Sequence, residues 1–242
     1  MNLLNNFLFV ALPYIAIAVF IGGAVYRYRT NAFTYSALSS QFLEGRGIHL
    51  VVLLFHWGIL ALLVLHLFAF LFPSAVMAWN GNPMRLLIHE GLAFTFGLCV
   101  FIGMIGLLGR RILYPRLETV TSRMDVIVEL LLIVQFFLGL WIALGYRWGS
   151  SWFAADLSPY LWSIAKLDPR VEAISAMPTV IKLHVAGAFV ILGMIPFTRL
   201  VHALVAPFHY TWRDYQQVIW YWDRKRVRVA ATAWTTNRPG NN

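Results

Sequence analysis

A chain of 242 residues that is 60% hydrophobic, only 12% charged and of mean hydropathy +0.70 is not a soluble domain, where about a quarter of residues are charged. Its formal charge of +9 does not imply nucleic acid as a partner, because in so apolar a chain basic residues collect on cytoplasmic loops and at lipid headgroups. The single cysteine, Cys99, excludes a disulfide framework, and the lack of any Cys-x-x-Cys-His run excludes covalently attached c-type haem.

Taken in chain order, five apolar stretches predict an all-α membrane protein, a bundle of five transmembrane helices. Residues 7–25, 50–72 and 91–109 are free of charge. Residues 126–146 carry one acid, Glu129, near their start, and residues 178–205 have Lys182 and Arg199 near their ends, where long side chains can reach the headgroups. Each reaches or approaches the ~20 residues that cross a bilayer core. Met1 to Asn6 has no basic run and no small-residue cleavage pattern follows, so the first span reads as a retained helix and not a signal peptide.

Loop charges orient the bundle. Arg27, Arg29 and Arg46 follow the first span, and Arg110, Arg111, Arg116 and Arg123 follow the third. The second loop has Arg85 alone, and the fourth balances Arg147, Lys166, Arg170 and Lys182 against Asp156, Asp168 and Glu172. The positive-inside rule then places the N-terminus outside and the C-terminus in the cytoplasm. Residues 1–210 form the membrane domain. Residues 211–242 form a basic, aromatic cytoplasmic tail, where Trp220, Tyr221 and Trp222 precede Arg224, Lys225 and Arg226. Attraction to the membrane surface and docking to a cytoplasmic subunit explain that tail equally well.

Two of the spans contain paired histidines: His56 and His66 in the second, His184 and His202 in the fifth. A lone intramembrane histidine often only bonds a neighbouring helix or lines a proton path. Four of them in an otherwise charge-poor interior point to metal ligation, and haem takes histidine axially. Antiparallel packing of the two spans matches His66 with His184 near the outer face, and His56 with His202 near the cytoplasm. Ten residues separate the first pair and eighteen the second, rises of about 15 and 27 Å in straight α-helices. Eighteen residues are five full turns, so the spacing predicts that His184 and His202 share one face of their helix. The unequal rises require a tilt or a kink, for which Pro196 is the evident cause. His202 then lies shallow, near any docked partner.

Other residues have plainer readings. His49, His89 and His209 lie at span ends as interfacial histidines, and Trp79, Trp148, Trp152 and Trp212 fit an aromatic belt. Gly22, Gly23, Gly103 and Gly106 suit close helix packing.

The run Leu54-Phe55-His56-Trp57-Gly58-Ile59-Leu60, with Leu65-His66, Leu183-His184 and Thr198-Arg199-Leu200-Val201-His202, resembles the gamma subunit of respiratory nitrate reductase. Pro13-Tyr14-Ile15-Ala16, Ser39-Ser40-Gln41, Arg110-Arg111 with Pro115-Arg116, and Pro196-Phe197 add to the likeness. It covers about residues 1 to 210 and departs in the second outer loop and in the tail.

The resemblance implies a di-haem cytochrome b in a bacterial or archaeal cell membrane. Such a subunit oxidises membrane quinol near the outer face and anchors a cytoplasmic iron–sulfur beta subunit and a molybdenum alpha subunit. Carried over, His66 and His184 hold the outer of two haem b groups, and His56 and His202 the inner. Arg85 matches a basic residue at the quinol pocket, with His89 and Glu90 beside it as candidate proton acceptors. Arg85 and His89, one helical turn apart, can share a face. Arg111 matches an arginine near the inner haem propionates, and Ser39 is a second candidate there. The family commonly has glycine where this chain has Leu65, which bears on the shape of the quinol pocket.

Three rivals remain at this point. A tether without redox function conflicts with the four histidines, and a transporter using histidine and Glu129 as relays conflicts with the lack of evident internal repeats. The third keeps the cytochrome but changes its partner, to a sulfur-compound or heterodisulfide reductase or a nitrite-oxidising complex.

Overall fold

The computed structural model describes residues 3–32, 35 and 48–205. Five helices are long and apolar enough to cross a membrane. They are α1 (Leu3–Thr30), α2 (Ile48–Leu71), α4 (Pro83–Leu113), α5 (Arg123–Gly145) and α8 (Thr179–Met194). Short helices lie between them: α3 (Pro73–Asn80), α6 (Ser158–Ala165) and α7 (Glu172–Ala176). In hydrocarbon a helix satisfies its backbone internally, which is why these apolar runs are helical whatever their β-branched content.

Local chemistry sets the ends and defects of these helices. In α1 a widened π-turn, Phe7–Ala11, precedes Pro13, whose ring would crowd the carbonyl four residues back in a regular helix. Asn82 caps α4, its side chain accepting from the backbone N–H of Met84 and Arg85, with Pro83 in the first turn. Ser122 and Asp125 form a reciprocal capping box at the start of α5.

The fifth span differs from the sequence expectation of one helix over residues 178–205. Its α-helix stops at Met194, and 3-10 turns at Ile195–Phe197 and Arg199–Val205 continue it, with Thr198 extended between them. Pro196 cannot donate to the helical ladder, so carbonyls near it need other donors. Arg27 of α1 supplies them, donating to the Pro196 carbonyl at 2.7 Å and the Thr198 carbonyl at 3.0 Å. His184 and His202 therefore do not share the face of one continuous helix. The proline breaks the helix and does not merely bend it.

The spans pack in the order α2, α4, α5, α8, α1. The tightest approach is α2 on α4, where a Cβ on Gly103 would stand 2.8 Å from the Phe55 backbone nitrogen and 2.9 Å from the Val51 oxygen. Val100, Met104 and Leu132 fill the junction of α2, α4 and α5. Among the described residues α2 and α8 share no extensive packing, although between them they carry His56, His66 and His184.

The fourth loop is structured where the sequence reading expected only a connection. A helical turn (Gly149–Trp152), a π-turn (Phe153–Leu157) and α6 fold over the end of α2. Ser158 Oγ donates to the Ala69 carbonyl at 2.8 Å and Trp162 Nε1 to the Phe70 carbonyl at 2.9 Å, satisfying orphan carbonyls of the last turn of α2. Trp162 also stacks on Phe70 with ring centres 5.0 Å apart. Phe9, Leu157, Tyr160, Ile164 and Ile174 form a second apolar core beneath this cap. There the Tyr160 hydroxyl donates to the Phe9 carbonyl at 2.8 Å, and burial raises its pKa well above the ordinary phenol value.

Candidate functional site

The imidazoles of His56 (α2) and His202 (the last 3-10 turn) face each other with ring centres 6.4 Å apart and planes inclined at 53°. Each ring is oriented through Nδ1. That atom lies 2.9 Å from the Val52 carbonyl for His56 and 2.6 Å from the Arg199 carbonyl for His202. A carbonyl only accepts, so Nδ1 carries the proton in both rings and Nε2 keeps its lone pair. Two imidazoles flanking one metal ion at about 2 Å each would have ring centres about 6 Å apart. The donor set, its tautomers and the spacing of its ring centres fit two imidazoles that would share one metal ion.

The second pair has the same chemistry in a different frame. His66 Nδ1 lies 2.8 Å from the Leu62 carbonyl, and the Phe153 ring meets the imidazole edge-on at 5.5 Å. His184 sits on α8 but is oriented by α5. Its Nδ1 donates to the Gln135 carbonyl at 3.1 Å, and Gln135 Nε2 returns a bond to the His184 carbonyl at 2.9 Å. Gly139 supplies the floor, since a Cβ there would stand 3.2 Å from His184 Cε1. Among the described residues no three or more His, Cys, Asp or Glu gather to hold a metal ion.

Beside the second pair, the first turns of α4 present Arg85, His89 and Glu90. The Arg85 guanidinium lies over the Trp79 ring, 5.3 Å from its centre. His89 Nδ1 meets Asn80 Oδ1 at 3.2 Å, so Arg85 and His89 both turn toward α3. Asn80 Nδ2 donates to Ser150 Oγ at 2.9 Å and Ser151 Oγ at 3.0 Å. Glu90 Oε1 accepts from the Ser150 backbone N–H at 2.8 Å and its hydroxyl at 2.6 Å, capping the turn that opens the fourth loop. His89 and Glu90 thus fasten the fourth loop to the start of α4.

At the other end of the bundle, Arg111 pairs with Glu129 at 3.0 Å and with Asp125 at 3.9 Å. Arg199 Nε pairs with Asp125 Oδ1 at 2.9 Å. The two carboxylates are buried and one helical turn apart on α5. Arg111 is therefore engaged by acids of α5, a partnership the sequence reading did not foresee. Ser39, His209 and residues 211–242 lie outside the described residues.

Sequence reasoning missed Gln135, Gly139, Asn80, Ser150 and the role of Asp125. Gln135 left a signal, as the one amide inside an apolar span, and so did Asp125 and Glu129, spaced four apart. Nothing local marks Asn80 or Ser150, whose contacts join loops 70 residues apart.

The profile of the family described as "Nitrate reductase gamma subunit" matches residues 5–221. The "Respiratory nitrate reductase 2 gamma chain" of Escherichia coli (strain K12) is 33% identical over 221 residues, 89% of this chain and 96% of its own. The "Respiratory nitrate reductase 1 gamma chain" of the same organism is 31% identical, covering 90% and 98%. The "Nitrate reductase gamma chain" of Bacillus subtilis (strain 168) is 30% identical, covering 84% and 93%.

Proposed function

This chain belongs to the nitrate reductase gamma subunit family, and on that premise we propose that it is the di-haem cytochrome b subunit of a membrane-bound nitrate reductase. It oxidises quinol near the outer face and delivers the electrons to cytoplasmic iron–sulfur and molybdenum subunits. The observation that carries the reading is the opposition of His56 and His202 across 6.4 Å, with both Nδ1 atoms committed to carbonyls. His56 and His202 would hold the inner haem iron, and His66 and His184 the outer. Held by two imidazoles, a haem at either site would supply single-electron transfer and would leave no place for oxygen or substrate at the iron. The protein's own work is to hold the imidazoles, fix their tautomers and set the polarity around them.

Quinol gives up two electrons and two protons, so its site needs a group to hold its oxygen and one to take a proton. Arg85 is the candidate for the first and His89 or Glu90 for the second, a proton acceptor having to lie within hydrogen-bond reach of the hydroxyl. Protons leaving at the outer face while electrons move inward make the step electrogenic. The basic loops support an orientation with the N-terminus outside and the tail in the cytoplasm.

The test is haem content and potential. The purified chain should release two non-covalent haems into acid acetone and titrate in two waves, because exposure sets haem potential and His202 lies at the bundle's end. An accessibility label should reach Asn82 variants from outside the cell. One haem, or label entering only from the cytoplasmic side, would sink the corresponding part of the reading.

Arg85→Ala tests the quinol site. Loss of a charge-assisted bond worth about 1.5–3 kcal/mol predicts a KM for quinol raised roughly ten- to a hundredfold. Both haems should stay bound and reducible by dithionite. Unchanged quinol kinetics would place the site elsewhere.

A further inference from the structure

The inner ligand has an unusual support. His66 and His184 project from regular α-helices, but His202 lies on a 3-10 turn beyond the break at Pro196, where no i→i−4 ladder fixes it. Side chains from other helices hold that segment instead. Arg27 holds its beginning through the carbonyls of Pro196 and Thr198. Its middle is held at Arg199, whose Nε pairs with Asp125 Oδ1 at 2.9 Å and whose terminal nitrogen donates to the Val120 carbonyl. The carbonyl of the same Arg199 accepts the Nδ1 proton of His202 at 2.6 Å.

Asp125 is well placed to act as an anchor. It is buried, and its other oxygen accepts from the Ser122 backbone N–H at 2.9 Å, which fixes the carboxylate on the first turn of α5. A buried carboxylate needs such partners, and an arginine is the partner that combines charge with directed N–H groups. The linkage therefore runs from α5 through Asp125 to Arg199, and from the Arg199 backbone to His202.

We propose that Asp125 is a positioning residue for the inner haem: through Arg199 it orients the His202 imidazole toward His56. The inference rests on the two-haem reading above. It extends the known kind of support for a metal-bound histidine, the carbonyl bonded to its second nitrogen, by one further residue.

The test uses the full chain in its native membranes and reads haem content, the potential of each haem, and the electron paramagnetic resonance signal of each low-spin ferric centre. Asp125→Asn removes the charge but preserves size, and it should lose the inner haem while leaving the outer one at its wild-type potential. Asp125→Glu, which restores the carboxylate, should recover the inner haem. Ser122→Ala weakens the same helix cap without touching the Arg199 pair, and should keep both haems with unshifted signals. If Asp125→Asn does not accumulate, Arg199→Gln carries the test, since it leaves the cap of α5 in place and should lose the inner haem alone. Equal loss of both haems, an unmoved inner haem in these variants, or inner-haem loss from Ser122→Ala would each overturn the proposal. A wild-type chain lacking two haems would instead overturn the reading on which it rests.

Discussion

Alanine at His56 or His202 is expected to abolish the inner haem, and alanine at His66 or His184 the outer, with quinol-dependent reduction of any acceptor lost in all four. In the proposed di-haem reading each of these histidines would be one of two protein ligands of an iron, and even residues that merely orient a metal-bound histidine are worth 10–100-fold in affinity or activity. Loss of the ligand itself should exceed about a hundredfold. The discriminating readout is which haem disappears. The 6.4 Å opposition of His56 and His202 requires these two variants to share one spectrum. The depth match of His66 with His184 in the proposed topology leads us to expect the other two to share the second. If His56→Ala and His184→Ala removed the same haem, the pairing would be wrong.

Gly103→Val should be nearly as damaging although glycine has no side chain with which to hold a cofactor. A Cβ at this position meets backbone atoms of Phe55 and Val51 at 2.8 and 2.9 Å, and backbone cannot swing aside as a flexible side chain can. Overpacking by a single methylene already costs about 1–3 kcal/mol. Adding a branched side chain against backbone should cost at least the upper end of that range. Because α2 carries His56 and His66, separating it from α4 displaces one ligand of each pair, and both haems should be depleted together. Gly22→Val is the control, since nothing lies within 4 Å of its Cβ position. Equal thermal stability and haem content in the two variants, measured in detergent, would mean that α2 and α4 do not pack as described.

The sequence disclosed the spans and the histidines for related reasons. A run of twenty apolar residues has one solution in a bilayer, and a histidine inside such a run needs a partner, so both can be read without knowing the fold. The ends were harder. Arg123 and Asp125 enter α5, and Arg85, His89 and Glu90 enter α4, because caps at Ser122 and Asn82 extend helices past the hydropathy boundary. Pro196 was visible as a cause of distortion, but whether a proline bends a helix or ends it depends on who satisfies the freed carbonyls. Here the answer is Arg27, 169 residues away. Gly103 could be assigned to close packing because small residues in spans usually serve that end. Gly139, serving an imidazole from another helix, could not.

The break in the last span also decides how the two ligand pairs depend on each other. Were His184 and His202 on one unbroken rod, any rotation or piston movement of that rod would shift both, and the two centres would move as a lever and its load. The proline releases that coupling. His184 follows α5 through Gln135 and Gly139, while His202 follows Arg27 of α1 together with Asp125 of α5, so α5 and not the broken last span is the element that both ends share. Substitutions in separate supports add. A change confined to one support, at Arg27 or at Gly139, can therefore shift one histidine and leave the other in place, whereas a displacement of α5 as a whole would move both.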